Sequence, residues 1–205
     1  MPAIRAQVIL KTTTNVPADF VTNSFCFADP AAITDTAGLT GAIKSFYDSI
    51  RTAIGFPTIA QNGHEIKFYD LPGVMPNYPF ATTTWNFATA PAGDTYASEC
   101  AVCLSFQGAK IPGLAQARRR GRIYLGPCSN AISLNGRPVA ATRTSVAGAA
   151  ASFKTAVNAL PAGGDWSVWS PTTATAVGIT NGWVDDAWDI QRRRGLVATA
   201  RTTFT

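Results

Sequence analysis

Arginine is concentrated in two blocks far apart in the chain, Gln116-Ala117-Arg118-Arg119-Arg120-Gly121-Arg122 and Gln191-Arg192-Arg193-Arg194-Gly195, which hold seven of the 17 Lys+Arg. A guanidinium is a planar, permanently charged fork that fits phosphate or carboxylate oxygens, and it sheds water more readily than an ammonium. The chemistry on offer is binding: Arg118, Arg119, Arg120, Arg122, Arg192, Arg193 and Arg194 are candidates for contact with nucleic acid or with acidic groups of an adjacent subunit. The plainer alternative is a solvated surface run, because triplets are shorter than the roughly five- to eight-residue basic clusters of nucleic-acid patches.

A second group is acidic. Asp185, Asp186 and Asp189 lie among Trp183 and Trp188, and clustered carboxylates are hard oxygen ligands suited to calcium. They stand equally close in sequence to Arg192, Arg193 and Arg194, with which exposed ion pairs would contribute about 0.2–1 kcal/mol each. A pair of these aspartates could also be posed as acid and base for sugar hydrolysis, which requires a cleft and one raised pKa. His64 is the single histidine; in the turn Gln61-Asn62-Gly63-His64-Glu65 it is expected to be exposed, a poor place for the base of a triad. Cys100 and Cys103 have the spacing of a zinc or redox pair, but in a strand positions three apart face opposite sides, so buried structural thiols are expected. Trp85, Trp166, Trp169, Trp183 and Trp188 could stack bases or sugars, although alternating strand positions favour packing.

The elements that must carry these residues follow from periodicity. Ile4, Ala6, Val8 and Leu10 alternate with polar residues as in a half-buried strand, and Val21 to Phe27 repeats the pattern. Asp35 or Thr36 can cap a helix in which Leu39, Ile43, Phe46, Tyr47, Ile50 and Ile54 share a face before Gly55 and Pro57. Asn62-Gly63 turns into a strand over Glu65–Asp70, and further strands are predicted over Thr82–Ala88, Cys100–Gln107 and Arg122–Leu125. Pro138 suits the first position of a second helix with Val146, Ala150, Phe153, Val157 and Leu160 on one face. Strands are predicted again from Trp166 and over Ile179–Ile190. No repeat with the roughly 20–50-residue period of solenoids is visible.

At 205 residues, 46% hydrophobic and only 14% charged, against about a quarter charged in ordinary domains, the chain can bury one substantial core beneath a neutral-polar surface. The net charge of +5 comes mainly from the arginine blocks, so attraction to an anion is local. Met1-Pro2-Ala3-Ile4-Arg5 enters a strand-like segment without a leading apolar stretch, so no secretory leader is expected and the four cysteines are expected to be reduced. No apolar run approaches the ~20 residues of a membrane span.

The order β-β-α-β-β-β-β-α-β-β predicts one domain over 1–205, all-β with two helical insertions, as an eight-stranded antiparallel jelly-roll sandwich. In this order the chain resembles the single jelly-roll capsid proteins of small icosahedral viruses, whose strands are lettered B to I, with the helix at 36–54 matching the insertion between strands C and D. The stretches from Ala117 to Pro127 and from Gly182 to Gly195 are similar to segments of predicted structural proteins of environmental viruses. The long basic N-terminal arm of many such proteins has no counterpart here. The resemblance implies a non-enzymatic coat protein that self-associates into an icosahedral shell around nucleic acid, located in the virion and assembled inside the host cell. It also implies calcium at subunit interfaces and no membrane partner. A tailed-phage connector or tail protein, a carbohydrate-binding jelly-roll module and an Asp-dependent hydrolase are the alternative classes.

Overall fold

The computed structural model describes residues 3–11, 20–28, 36–56, 59–71, 79–88, 102–110, 118–125, 133–134, 137–159, 179–186 and 201–204. Two helices and two four-stranded antiparallel sheets make up most of this. The first half holds β1 (Ala3–Lys11), β2 (Phe20–Ala28), α1 (Thr36–Ile54), β3 (His64–Leu71) and β4 (Ala81–Trp85). The second holds β5 (Val102–Lys110), β6 (Arg118–Leu125), α2 (Ala140–Asn158), β9 (Ile179–Asp186) and β10 (Arg201–Phe204), with a two-residue ribbon of β7 (Ser133–Leu134) and β8 (Arg137–Pro138) before α2.

The helix α1 forms where the three- and four-residue spacing predicts it, and Leu39, Ile43, Phe46, Tyr47, Ile50 and Ile54 are all buried. It stops at Gly55, whose φ of 79° is a left-handed conformation open to glycine at little cost. In β1, Ala6, Val8 and Leu10 are fully buried, and in β3 so are His64, Ile66 and Phe68. Burying one such large apolar side chain contributes about 1.5–3 kcal/mol. These residues join Val102, Leu104, Leu125, Val184 and Phe204 of the second sheet, and Val146, Ala150, Phe153 and Val157 of α2, in one continuous core. On the other face of the first sheet, among the described side chains, Thr82, Thr84 and Lys11 are exposed, Gln7, Ile9, Glu65 and Lys67 half-buried and Tyr69 buried.

The jelly roll is corrected by the strand pairing. A jelly roll is two Greek keys, in which the fourth strand returns beside the first. Here the first four long strands form one sheet in the order β2-β1-β3-β4 and the last four another in the order β10-β9-β5-β6. In each sheet the two middle strands are antiparallel across the helix connection, so the helix carries the chain over one strand to a position parallel to the strand it left. The fold is therefore α+β, with the helices forming a layer on the sheets rather than decorating a sandwich.

The two halves are the same unit. Read from the strand that precedes the hairpin, both run ββαββ with spatial order second, first, third, fourth, both helices have 19 residues, and β1 and β5 have nine each. The ladders also agree in stagger: the row Asn23–Val8–Ile66–Thr83 corresponds to the row Ile123–Leu104–Val184–Thr202. At one constant offset the buried helix positions Leu39, Ile43, Phe46, Tyr47, Ile50 and Ile54 fall on Thr142, Val146, Ala149, Ala150, Phe153 and Val157, which are buried too. Equivalent elements meet each other, α1 with α2 and β2 with β6, as in a homodimer around a twofold axis.

Smaller departures have local causes. The first arginine block does not precede its strand but lies within it, since β6 begins at Arg118; paired backbone outweighs the lack of apolar alternation there. Pro138 does not start α2. It closes the short ribbon, paired with Ser133, and the helix begins two residues later behind Val139. The strand over Thr82–Ala88 ends at Trp85, β5 covers Val102–Lys110 while Cys100 lies outside the described residues, and β10, β7 and β8 were not expected. The strand expected from Trp166 lies outside the described residues, as do Leu160, Trp169 and Trp188.

Candidate nucleic-acid interface

The first arginine block is dealt onto two faces by the strand it occupies. Successive residues of a strand alternate, so Arg118, Arg120 and Arg122 share one set of positions with Tyr124. Arg119 falls on the other set, which continues through Gly121 and Ile123 to the buried Leu125. Alternate positions recur about every 6.6 Å along a strand, which makes a line of three cationic positions. On the central strand their register partners are Ser105 for Arg122, Gln107 for Arg120 and, beyond a bulge, Lys110 for Arg118. One strand further, Trp183 lies in the row of Arg122 and Ser105, and Asn181 in the row of Arg120 and Gln107. Ser105 is 1% exposed, and its Oγ has no hydrogen-bond partner among the described residues.

The sister half is not charged in this way. By equivalence of the rows, Thr22 stands where the second half has Arg122, and Phe20 where it has Arg120. The scaffold is satisfied without arginine at those positions, so folding does not explain their presence.

Asp185 and Asp186 occupy neighbouring positions of β9 and so lie on opposite faces. Asp185 is the register partner of Cys103 and of Arg201, and Asp186 of Val102. The backbone thus sets Asp185 directly across from an arginine and apart from Asp186. Asp189, Arg192, Arg193 and Arg194 lie outside the described residues. Among the described residues no group of three His, Cys, Asp or Glu side chains gathers as a metal site would require. No helix among them is long and apolar enough to cross a membrane.

A second polar cluster, unforeseen, is buried in the first half. Arg51, 2% exposed, donates from Nη2 to the carbonyl of Ile59 at 3.2 Å and from Nη1 to that of Ala60 at 3.4 Å. Its guanidinium lies 4.3 Å from the centre of the Phe87 ring, a cation–π contact. Burial lowers its pKa and Asp48 opposes the shift. His64 is not exposed but fully buried, its ring against Trp85 at 5.1 Å and Phe87 at 4.6 Å. The Lys11 N–H donates to His64 Nδ1 at 3.0 Å, so Nε2 carries the proton and donates to the Ala60 carbonyl at 2.9 Å. With both nitrogens occupied, the ring has no lone pair for a substrate proton. It fastens the 55–63 turn to β1.

Both residues were legible in their spacing. Arg51 follows Tyr47 by one helical turn on the apolar stripe, and His64 alternates with Ile66 and Phe68. At the sister positions stand Lys154, half-buried, and Gly182, so this knot belongs to the first half alone.

Burial holds the His64 pKa below its ordinary 6.5, with Arg51 and Lys11 adding repulsion against the backbone hydrogen bonds that raise it. Below the ordinary value the unfolded chain takes up a proton that the folded chain refuses, so stability is full above about pH 6.5 and declines as pH falls towards the lower folded value. The expected result is a melting temperature that drops in the parent as pH falls below about 6.5. His64→Gln is expected to be less stable at neutral pH and to lose much of that drop. An unchanged pH profile in the variant would show that other groups cause it.

Comparison with protein families, curated proteins and solved structures finds no match to this chain.

Proposed function

We propose that the chain is a structural protein of a nucleic-acid-containing particle, a viral coat subunit that associates with its own kind and lays β6 against the packaged strand. The observation that carries this is the line of Arg118, Arg120 and Arg122 on alternate positions of one strand, without a charged counterpart at the described sister positions. Three arginine positions in line along a strand suit the repeating phosphates of an extended polyanion. Tyr124 on β6 and Trp183 on β9, across β5, fall on the same face, where aromatic rings can stack bases. The low charged fraction and neutral-polar strands support extensive protein contact. No catalysis belongs to this proposal, and the carbohydrate-binding jelly-roll alternative lapses with the jelly roll.

The test is binding of a single-stranded oligonucleotide at several salt concentrations. Each phosphate neutralised adds about −0.7 to the log–log slope for single strands and about −0.9 for duplex. Changing Arg118, Arg120 and Arg122 together to Gln is expected to reduce the slope's magnitude by about two to three and to lower the nucleic acid retained in particles. Arg119→Gln, on the other set of positions, is expected to leave the slope nearly unchanged. A triple variant that binds like the parent would return these arginines to solvated surface. Loss of assembly itself would assign them to ion pairs between subunits.

A further inference from the structure

The segment that leads into β3 is tied to the end of β1 through one ring. His64 is the first residue of β3 and Lys11 the last of β1. The Lys11 N–H donates to Nδ1 at 3.0 Å and its carbonyl accepts from the Ala60 N–H at 2.8 Å, while the Ala60 carbonyl accepts from Nε2 at 2.9 Å. Backbone strain is held nearby. Phe56 has a φ of 32°, which a bulky residue adopts only where its surroundings impose it. The charges that face the ring are of one sign: Arg51 from α1 and Lys11 from β1, both repelling an imidazolium. Asp48, which offsets the burial of Arg51, accepts from the Ala88 N–H at 3.1 Å. Glu65 lies on the opposite face of β3 and pairs with Lys67 at 2.8 Å. From the 85–88 stretch the ring meets the uncharged Trp85 and Phe87.

We propose that residues 59–63 form an acid-opened latch: a proton on His64 releases them from the end of β1 and bares apolar surface, while the helices and the rest of the sheet stay folded. The lone pair that takes the proton is the one on Nδ1 that now accepts from Lys11. An Nδ1–H in its place meets the Lys11 N–H donor against donor. The new cation also stands among aromatic rings beside Arg51, where no carboxylate among the described residues pairs with it. Neither conflict is met in place, so the ring turns to water and lets go of the Ala60 carbonyl. Release relieves Phe56 and uncovers Phe56, Ile59 and Phe87, all buried when the latch is closed. The break falls at one end of the ladder, and the pairs from Ile9–Glu65 to Ala3–Leu71 lie beyond it; opening a strand end costs far less than opening the core. The loss is therefore confined to one segment and reversible, which a general acid weakening of the fold is not. The device belongs to the first half and does not depend on what the arginine line binds.

His64 is the single histidine, so nuclear magnetic resonance of the full chain reads its ring without ambiguity. The Nε2–H tautomer is expected at about pH 7.5, above the ordinary histidine pKa. Amide hydrogen exchange, corrected for its intrinsic pH dependence, is followed as the ring titrates. The Ala60 and Phe87 amides, which bond to Lys11 and Gln61, are expected to lose at least tenfold more protection than those of Ile43 in α1 and Val8 in β1, and to regain it on return to neutral pH. His64→Gln takes up no proton and is expected to abolish this response. Lys11→Gln removes a repelling charge at an exposed position and is expected to move the opening to higher pH. Equal loss of protection at all four amides overturns the latch in favour of general unfolding. A ring that titrates without loss at Ala60 and Phe87 also overturns it, as does a His64→Gln chain that opens in acid like the parent. Where His64→Gln does not fold, Lys11→Gln decides, and an unmoved midpoint overturns the proposal.

Discussion

Arg51→Ala is expected to cost about 2–5 kcal/mol of unfolding free energy, the range for truncating a large buried side chain to alanine. The guanidinium holds the carbonyls of Ile59 and Ala60 and lies over Phe87. Alanine leaves both carbonyls without this donor and opens space beside an aromatic ring. The Ala60 carbonyl keeps the His64 donor, so the loss falls on the buried Ile59 acceptor, at about 1–3 kcal/mol, and the lost packing of a long side chain adds to it. Methionine separates these effects. Arg51→Met fills the volume and removes a charge whose own burial is unfavourable, so its cost is expected below about 2 kcal/mol even with the hydrogen bonds gone. The sister half supplies the control. Lys154 occupies the equivalent helix position but is half-buried, and Lys154→Ala is expected to change stability by no more than about 0.5 kcal/mol. Urea unfolding with an unchanged slope measures all three; an Arg51→Ala cost equal to that of Arg51→Met would remove the lost packing from the account.

The local elements were legible in the sequence wherever the core imposes a period. The face of α1 follows from Leu39, Ile43, Tyr47, Ile50 and Ile54, and β1 from Ala6, Val8 and Leu10, because each buries one stripe. Pairing was not legible. Element order alone admits many sheet orders, and the placement of β3 beside β1 is set by α1 carrying the chain across, which no local pattern encodes. The duplication was hidden for a related reason. The halves match in burial but not in residue type, with Phe46 answered by Ala149 and Tyr47 by Ala150, so only Thr83-Thr84-Trp85 and Thr202-Thr203-Phe204 echo as sequence. The arginines were visible as composition, but their division between Arg118, Arg120 and Arg122 on one side and Arg119 on the other required knowing that the block is itself a strand. The Asn62-Gly63 turn points to an exposed His64, but alternation with Ile66 and Phe68 places it on the buried face of β3.

The largest effect on the whole molecule is expected where the two copies of the unit meet. Phe46 of α1 and Phe153 of α2 have ring centroids 4.9 Å apart at 39°, both 2% exposed, and Phe46 also meets Tyr47 edge-on at 5.2 Å. Each ring rests on a different half, yet both belong to one buried cluster that reaches both sheets. Truncating either ring removes its transfer energy and leaves a cavity between helices held at fixed distance by their own sheets, so Phe153→Ala and Phe46→Ala are each expected to cost about 3–5 kcal/mol. The double variant is expected to cost less than the sum by about 0.5–1.5 kcal/mol, the coupling of an aromatic pair measured by the cycle. Because the shared core spans the halves, unfolding is expected as one cooperative transition in the parent and in each variant, followed by near-ultraviolet circular dichroism and by calorimetry. Two transitions, with Phe153→Ala moving one and leaving the other in place, would show instead that the halves fold as separate units merely joined by the chain, and the contact between α1 and α2 would lose its role as their common core.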